Sequence, residues 1–97
     1  MTSKERSILM SDAQKLEPVV RIGKSSLTPE IVISVDEAFN TRELIKVDVM
    51  KNCFDDLREL GNTLAERSHS QLVQVIGRKI VLYKPFKDAK NRKYNII

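Results

Sequence analysis

In the stretch RIGKSSLTPE, residues 21–30, a glycine, a lysine and two serines stand between an apolar run and a helix-start signal. Such a grouping could hold a phosphate. A nucleotide-binding P-loop needs a further glycine five residues ahead of its Gly-Lys pair, so that successive backbone amides wrap the phosphates. Pro18 stands there and carries no amide hydrogen. What remains is a loop before a helix N-terminus, where free amides and the helix dipole favour an anion and Lys24 adds a mobile charge. An ordinary strand-to-helix turn would contain the same residues.

Other chemistry fares less well. Ser25 or Ser26 could act with a base, but the only histidine is His69, in ERSHSQ after a helix, where it reads as a solvated loop residue. Cys53, the single cysteine, reads as a half-buried packing thiol near a helix start, and no internal disulfide is possible. Asp55 and Asp56 read as helix-start charges. No nucleophile, acid and base assemble, so no catalytic residue is assigned and an enzyme is not expected. One histidine and one cysteine are too few for the usual metal sites, and no cofactor is expected.

The elements that position these residues follow from length, charge and periodicity. Ninety-seven residues bound the chain to one domain with a modest core. The formal charge is +4, unevenly spread. Residues 78–97 hold seven basic residues and one acid, whereas residues 1–77 hold ten basic and twelve acidic. A basic end favours a polyanionic partner, although a solvated tail has the same composition. No apolar run approaches a membrane span and the N-terminus is too polar for a signal peptide, so a cytoplasmic protein is expected.

TSKE at residues 2–5 has the form of a capping box, and Leu9, Ala13 and Leu16 carry a first helix that ends before Pro18. VVRI at 19–22 reads as a strand. Thr28 caps a second helix with Pro29 in its first position, and Ile31, Val35, Ala38 and Phe39 form its buried stripe. In ELIKVDVM, residues 43–50, Ile45, Val47 and Val49 alternate with Lys46 and Asp48. Asn52 followed by Asp55 suggests the next cap, with Phe54, Leu57, Leu60 and Leu64 on one face of a third helix. QLVQVI and KIVLYK pair through Gly77-Arg78, with glycine placed for a type II′ turn. The order α-β-α-β-α-β-β predicts an α/β fold with parallel crossovers and a terminal hairpin that makes the sheet mixed. The last dozen residues read as a loose tail.

PVVRIGKSSLTPEI at 18–31, ELIKV at 43–47 and QVIGRKIVLYK at 74–84, in this order and spacing, resemble the CRM, or YhbY-type, RNA-binding domain. The resemblance spans roughly residues 2–86, giving a domain at 1–86 and a basic tail at 87–97. It implies a four-stranded mixed sheet with packed helices, similar to the C-terminal domain of translation initiation factor three. It also implies RNA as partner, with the small bacterial members associated with the precursor of the large ribosomal subunit. The family's Gly-x-x-Gly loop corresponds to Gly23, Lys24, Ser25 and Ser26, so Ser26 replaces the second glycine. A Cβ there makes positive φ costly. Aromatics are few, and Phe39 and Phe54 read as core, which favours phosphate and shape recognition over base reading.

Right-handed crossovers predict that the ends of the first three strands share one edge. Gly23–Ser26, Lys51, Arg78 and Lys79 would meet there, joined by Lys4 and Arg6 if the first helix begins nearby. Lys46 would face solvent, Arg21 is a weaker candidate, and Asp36, Glu37, Asp55, Asp56 and Glu59 should face elsewhere. The expected protein is a non-enzymatic, monomeric RNA-binding domain that assists large-subunit assembly by contacting ribosomal RNA, with no membrane partner. The alternative is a protein-interaction domain whose basic end meets an acidic partner.

Overall fold

The computed structural model describes residues 1–94. The elements are α1 (Ser3–Ala13), β1 (Val20–Ile22), α2 (Pro29–Ala38), β2 (Leu44–Val49), α3 (Leu57–Arg67), β3 (Gln71–Ile76) and β4 (Lys79–Tyr83), then a 3-10 turn at Ala89–Asn91. This is the order read from the sequence.

Local chemistry sets most boundaries. Thr2 and Glu5 form the capping box: the Thr2 amide donates to the Glu5 carboxylate at 2.7 Å and the Glu5 amide to the Thr2 hydroxyl at 3.1 Å. The Thr28 hydroxyl accepts from the Ile31 amide, and Pro29 opens α2. The third helix starts later than the Asn52–Asp55 signal suggested. Its cap is Asp56, whose carboxylate accepts from the amides of Arg58 (2.9 Å) and Glu59 (3.1 Å). Phe54 is therefore outside the helix and 92% exposed, not in the core. At the other end His69 takes φ 55°, with its amide on the Glu66 carbonyl and the Ser70 amide on the Ala65 carbonyl. That is a Schellman closure with histidine at the left-handed position. Ser26 meets the chain just before α3 and His69 follows its end, so the two are not paired for catalysis.

The sheet order is β1-β2-β4-β3. β1 and β2 are parallel, and β4 runs antiparallel to both β2 and β3. The first three strands thus point the same way, as the crossovers predicted, with β4 between β2 and β3. Gly77 has φ 55° and Arg78 does not share it, the sign pattern of a type II′ hairpin.

Alternation divides the core between the two faces. Ile22, Val47, Ile80 and Leu82 pack under α2 and α3 with Val35, Leu60 and Leu64. Val81, Tyr83, Leu44 and Val73 pack under α1 with Leu9 and Ala13. Leu64 is fully buried, and its truncation to alanine would cost about 2–5 kcal/mol, a large part of a small domain's stability. The residues under α1 lie at the start of β2 and β3 and the end of β4. The other half of that sheet face remains open, with Arg21, Lys79 and Ile76 reaching solvent.

The segment beyond β4 corrects the expectation of a loose tail. Buried Glu43 accepts the amides of Phe86 (3.1 Å) and Lys93 (2.6 Å) on its two carboxylate oxygens. The Tyr94 hydroxyl donates to Asp12 at 2.7 Å, and its ring stands edge-on to Tyr83 at 5.9 Å. Residues 95–97 of the expected tail lie outside the described residues. Among the described residues, no helix is long and apolar enough to cross a membrane.

The Tyr94 hydrogen bond, aided by Lys93 and Lys15 and opposed by partial burial, holds the Asp12 carboxyl below its ordinary value. Burial and the same Asp12 contact push the Tyr94 phenol up. A depressed carboxyl contributes stability above its unfolded pKa and loses it as pH falls through the folded one. Acidification through that range should therefore release Tyr94 from Asp12 before the sheet unfolds, seen as a change in tyrosine fluorescence ahead of the circular dichroism transition. Asp12→Asn should remove the separate acid step. A single coincident transition in both proteins would show that this contact does not hold the segment.

Candidate nucleic-acid interface

Strand β1 ends at Ile22 and the chain turns at once: the Ser26 amide donates to the Gly23 carbonyl at 3.0 Å. Lys24 and Ser25 at the tip are exposed. Gly23 does not use positive φ, and a Cβ there would meet only ordinary contacts, Asn52 Oδ1 at 3.8 Å and Met50 Sδ at 3.9 Å. Ser26 is the residue in the left-handed region, at φ 59°. Its hydroxyl donates to the Asp55 carboxylate, which also lies 3.8 Å from Cys53 Sγ. The last position of the loop is thus held by a serine tied to the segment before α3. Cys53 itself is buried in the core.

The segment after β2 forms the neighbouring wall. The Met50 amide donates to the Ile22 carbonyl at 2.8 Å, extending the β1–β2 pairing by one bond. The Cys53 amide then donates to the Met50 carbonyl at 3.0 Å, which closes a turn with Lys51 and Asn52 exposed. Arg78, from the β3–β4 hairpin, fastens this turn. Its Nε donates to the Val49 carbonyl (2.9 Å) and its Nη2 to those of Met50 and Cys53 (2.8 Å each). A rigid fork of donors suits several fixed carbonyls better than a flexible ammonium would. Lys79 Nζ lies 2.6 Å from Asp48, and Arg21 Nε 3.7 Å from the same carboxylate. Register places Arg21, Asp48, Lys79 and Ile76 in one row across all four strands. Lys46 lies two residues before Asp48 on the same face and is half-buried.

Gly23–Ser26, Lys51, Arg78 and Lys79 therefore meet at one sheet edge, as the topology predicted. Three parts of the expectation need correction. Arg6 is not at that edge: its Nη1 donates to the Leu72 carbonyl at 3.1 Å and to that of Val73, in the first half of β3 under α1. Lys4, on the same first turn of α1, is exposed on that side and not beside the loop. The reason is that α1 crosses the half of the sheet distant from the loop, where Leu9 and Ala13 find apolar partners. Arg78 is at the edge, but its guanidinium is engaged with backbone. Asp55 faces the loop, and with Asp56 and Glu59 it lines a groove of about 350 Å³ beside Ser26 and Leu27. The loop thus separates an acidic side, toward α3, from a basic side, toward β2 and β4.

Sequence reasoning missed the tie between Ser26 and Asp55 and the solvent position of Phe54. The Asp56-x-x-Glu59 spacing, a cap followed by a first-turn acid, was the available signal for the second. If Arg78 is the clamp described, Arg78→Lys should lower stability by about 1–3 kcal/mol in denaturant melts, because carbonyls lose charge-assisted partners. Amide exchange should quicken at Met50 and Cys53. Unchanged exchange there would mean that the turn stands without the clamp.

The CRS1 / YhbY (CRM) domain family matches residues 1–84. "Probable RNA-binding protein YqeI" of Bacillus subtilis is 41% identical over 90 residues, which cover 93% of this chain and 94% of the relative. An "RNA-binding protein" of Haemophilus influenzae is 32% identical over 90 residues, covering 93% and 91%. The solution structure of SAV1595 from Staphylococcus aureus superposes with a TM-score of 0.81 at 40% identity, covering 97% of this chain and 98% of that one. The described backbone has the same mixed sheet that the sequence pattern implied. On the match over residues 1–84 and these relatives of matching length, the chain belongs to the CRS1 / YhbY (CRM) domain family.

Proposed function

We propose that the protein is a non-enzymatic, monomeric RNA-binding domain of the cytoplasm that contacts ribosomal RNA and assists assembly of the large ribosomal subunit, without a cofactor. The observation that carries this reading is the meeting of Gly23–Ser26, Lys51 and Lys79 at one sheet edge from three separate chain segments. The relatives named as RNA-binding proteins support the partner class.

The phosphate backbone would reach the exposed Lys24 and Lys51 and pass over the open sheet face toward Lys79 and Arg21. Asp55, Asp56 and Glu59 repel it from the α3 side. Asp48 tempers the positive row, so contacts with Lys79 and Arg21 exchange one carboxylate partner for a phosphate. Ser25 and the loop amides offer hydrogen bonds at the tip. Arg78 acts by holding the Lys51 turn in place. Lys46 and the C-terminal lysines add long-range attraction, and the same attraction screens with salt.

Lys24→Ala tests the reading. Lys24 is exposed at the loop tip, so the variant should melt at the parent temperature and bind RNA more weakly. The slope of log affinity against log salt should fall by about 1. Equal affinity and slope across the salt range would remove Lys24 from the interface. A parent protein without steep salt dependence would favour the protein-partner alternative.

A further inference from the structure

Phe54 is the most exposed large apolar residue of the described chain, at 92%; the others range from 36% to 55%. It is also held from both sides. The carbonyl of Cys53, immediately before it, accepts from Arg78 at 2.8 Å, and the Cys53 side chain is buried in the core. The carboxylate of Asp55, immediately after it, accepts from the Ser26 hydroxyl. Phe54 thus projects from a backbone fastened on one side to the hairpin and on the other to the Gly23–Ser26 loop. A loop that served only to connect β2 and α3 would gain nothing from a large ring in water.

From this position we infer that Phe54 is a stacking platform for an unpaired nucleobase of the bound RNA. The inference rests on the RNA-binding reading above and adds base contact to what was otherwise a phosphate-and-shape reader. The neighbouring chemistry selects this occupant. Lys51 lies three residues before Phe54 in the same connection and Lys24 tips the loop to which Asp55 is bonded, so cations for a phosphate backbone stand on the β2 and loop side, while Asp55 and Asp56 keep the α3 side acidic. An aromatic face next to such cations is the combination that binds single-stranded nucleic acid, because every base presents a π-face. Stacking needs the ring to be free of protein neighbours and its backbone to be fixed beforehand, and Phe54 meets both conditions. A base inside a duplex has both faces covered by its stacked neighbours, so the contact selects unpaired RNA.

The test compares the parent protein with Phe54→Leu and Phe54→Trp, using a short oligoadenylate and an RNA duplex of the same length at one salt concentration. Leucine keeps an apolar side chain but loses the ring, and because position 54 is solvent-exposed, neither change should alter the melting temperature. Phe54→Leu should weaken oligoadenylate binding roughly tenfold, within the range that stacking contacts show, while Phe54→Trp binds as tightly as the parent or more so. Duplex binding should be the same for all three. Equal oligoadenylate affinity for Phe54→Leu and the parent overturns the stacking role and leaves the RNA-binding reading intact. An equal loss on both RNAs overturns it too, because the stacked bases inside a duplex offer no free face. A parent protein that binds neither RNA with salt dependence refutes the RNA-binding reading, and the stacking role with it.

Discussion

The Arg78 guanidinium bonds the backbone carbonyls of Val49, Met50 and Cys53, and much of the candidate interface depends on that clamp. These carbonyls lie at and beyond the end of β2, where the parallel partner β1 has only one more bond to give, from Met50 to Ile22. The Met50 carbonyl also accepts the Cys53 amide, but without the Arg78 guanidinium all three would lose a charged donor and the turn carrying Lys51 would lose its side-chain tie to the hairpin. The clamp comes from the β3–β4 hairpin, more than two dozen residues later in the chain. It therefore exists only once the hairpin has paired with β2, which couples the interface to the long-range part of the fold.

The loop before α2 is secured differently. Ser26 occupies a left-handed conformation that suits glycine, and its hydroxyl bond to Asp55 offsets part of that cost. The tie places an acidic residue beside the loop, and Asp56, already needed to cap α3, and Glu59 extend the negative side. The helix cap and the Ser26 anchor thus set an electrostatic boundary as well as a local structure. On the other side, the limited reach of α1 leaves the row of Arg21, Asp48, Lys79 and Ile76 uncovered.

What was legible in the sequence is what local physics decides. Alternation in β2, the Thr2–Glu5 and Thr28–Pro29 signals and the Gly77 turn each depend on neighbours within a few residues, and each matches the structure. The shared edge of the loop and hairpin followed from topology. Two features depended on distant partners and were not legible, and a third was set by a local cap. Arg6 found carbonyls in β3 because α1 crosses the far half of the sheet. The C-terminal segment docks because Glu43, about fifty residues earlier for Lys93, satisfies its amides. The helical period of Leu57, Leu60 and Leu64 extends backwards to Phe54 only past Asp56, the residue whose side chain caps the helix and ends that period.

The central claim is that RNA meets this protein at the edge formed by the Gly23–Ser26 loop, the Lys51 turn and the hairpin. An NMR titration of the labelled protein with unlabelled ribosomal RNA fragments tests it residue by residue. The account predicts that the amides of residues 23–26, 51–54 and 77–79 shift first and furthest, with the perturbation spreading over Arg21 and Lys46, while the outer faces of α2 and α3 remain still. Shifts centred on α2, α3 or the segment packed against Glu43, with the loop unmoved, would contradict it.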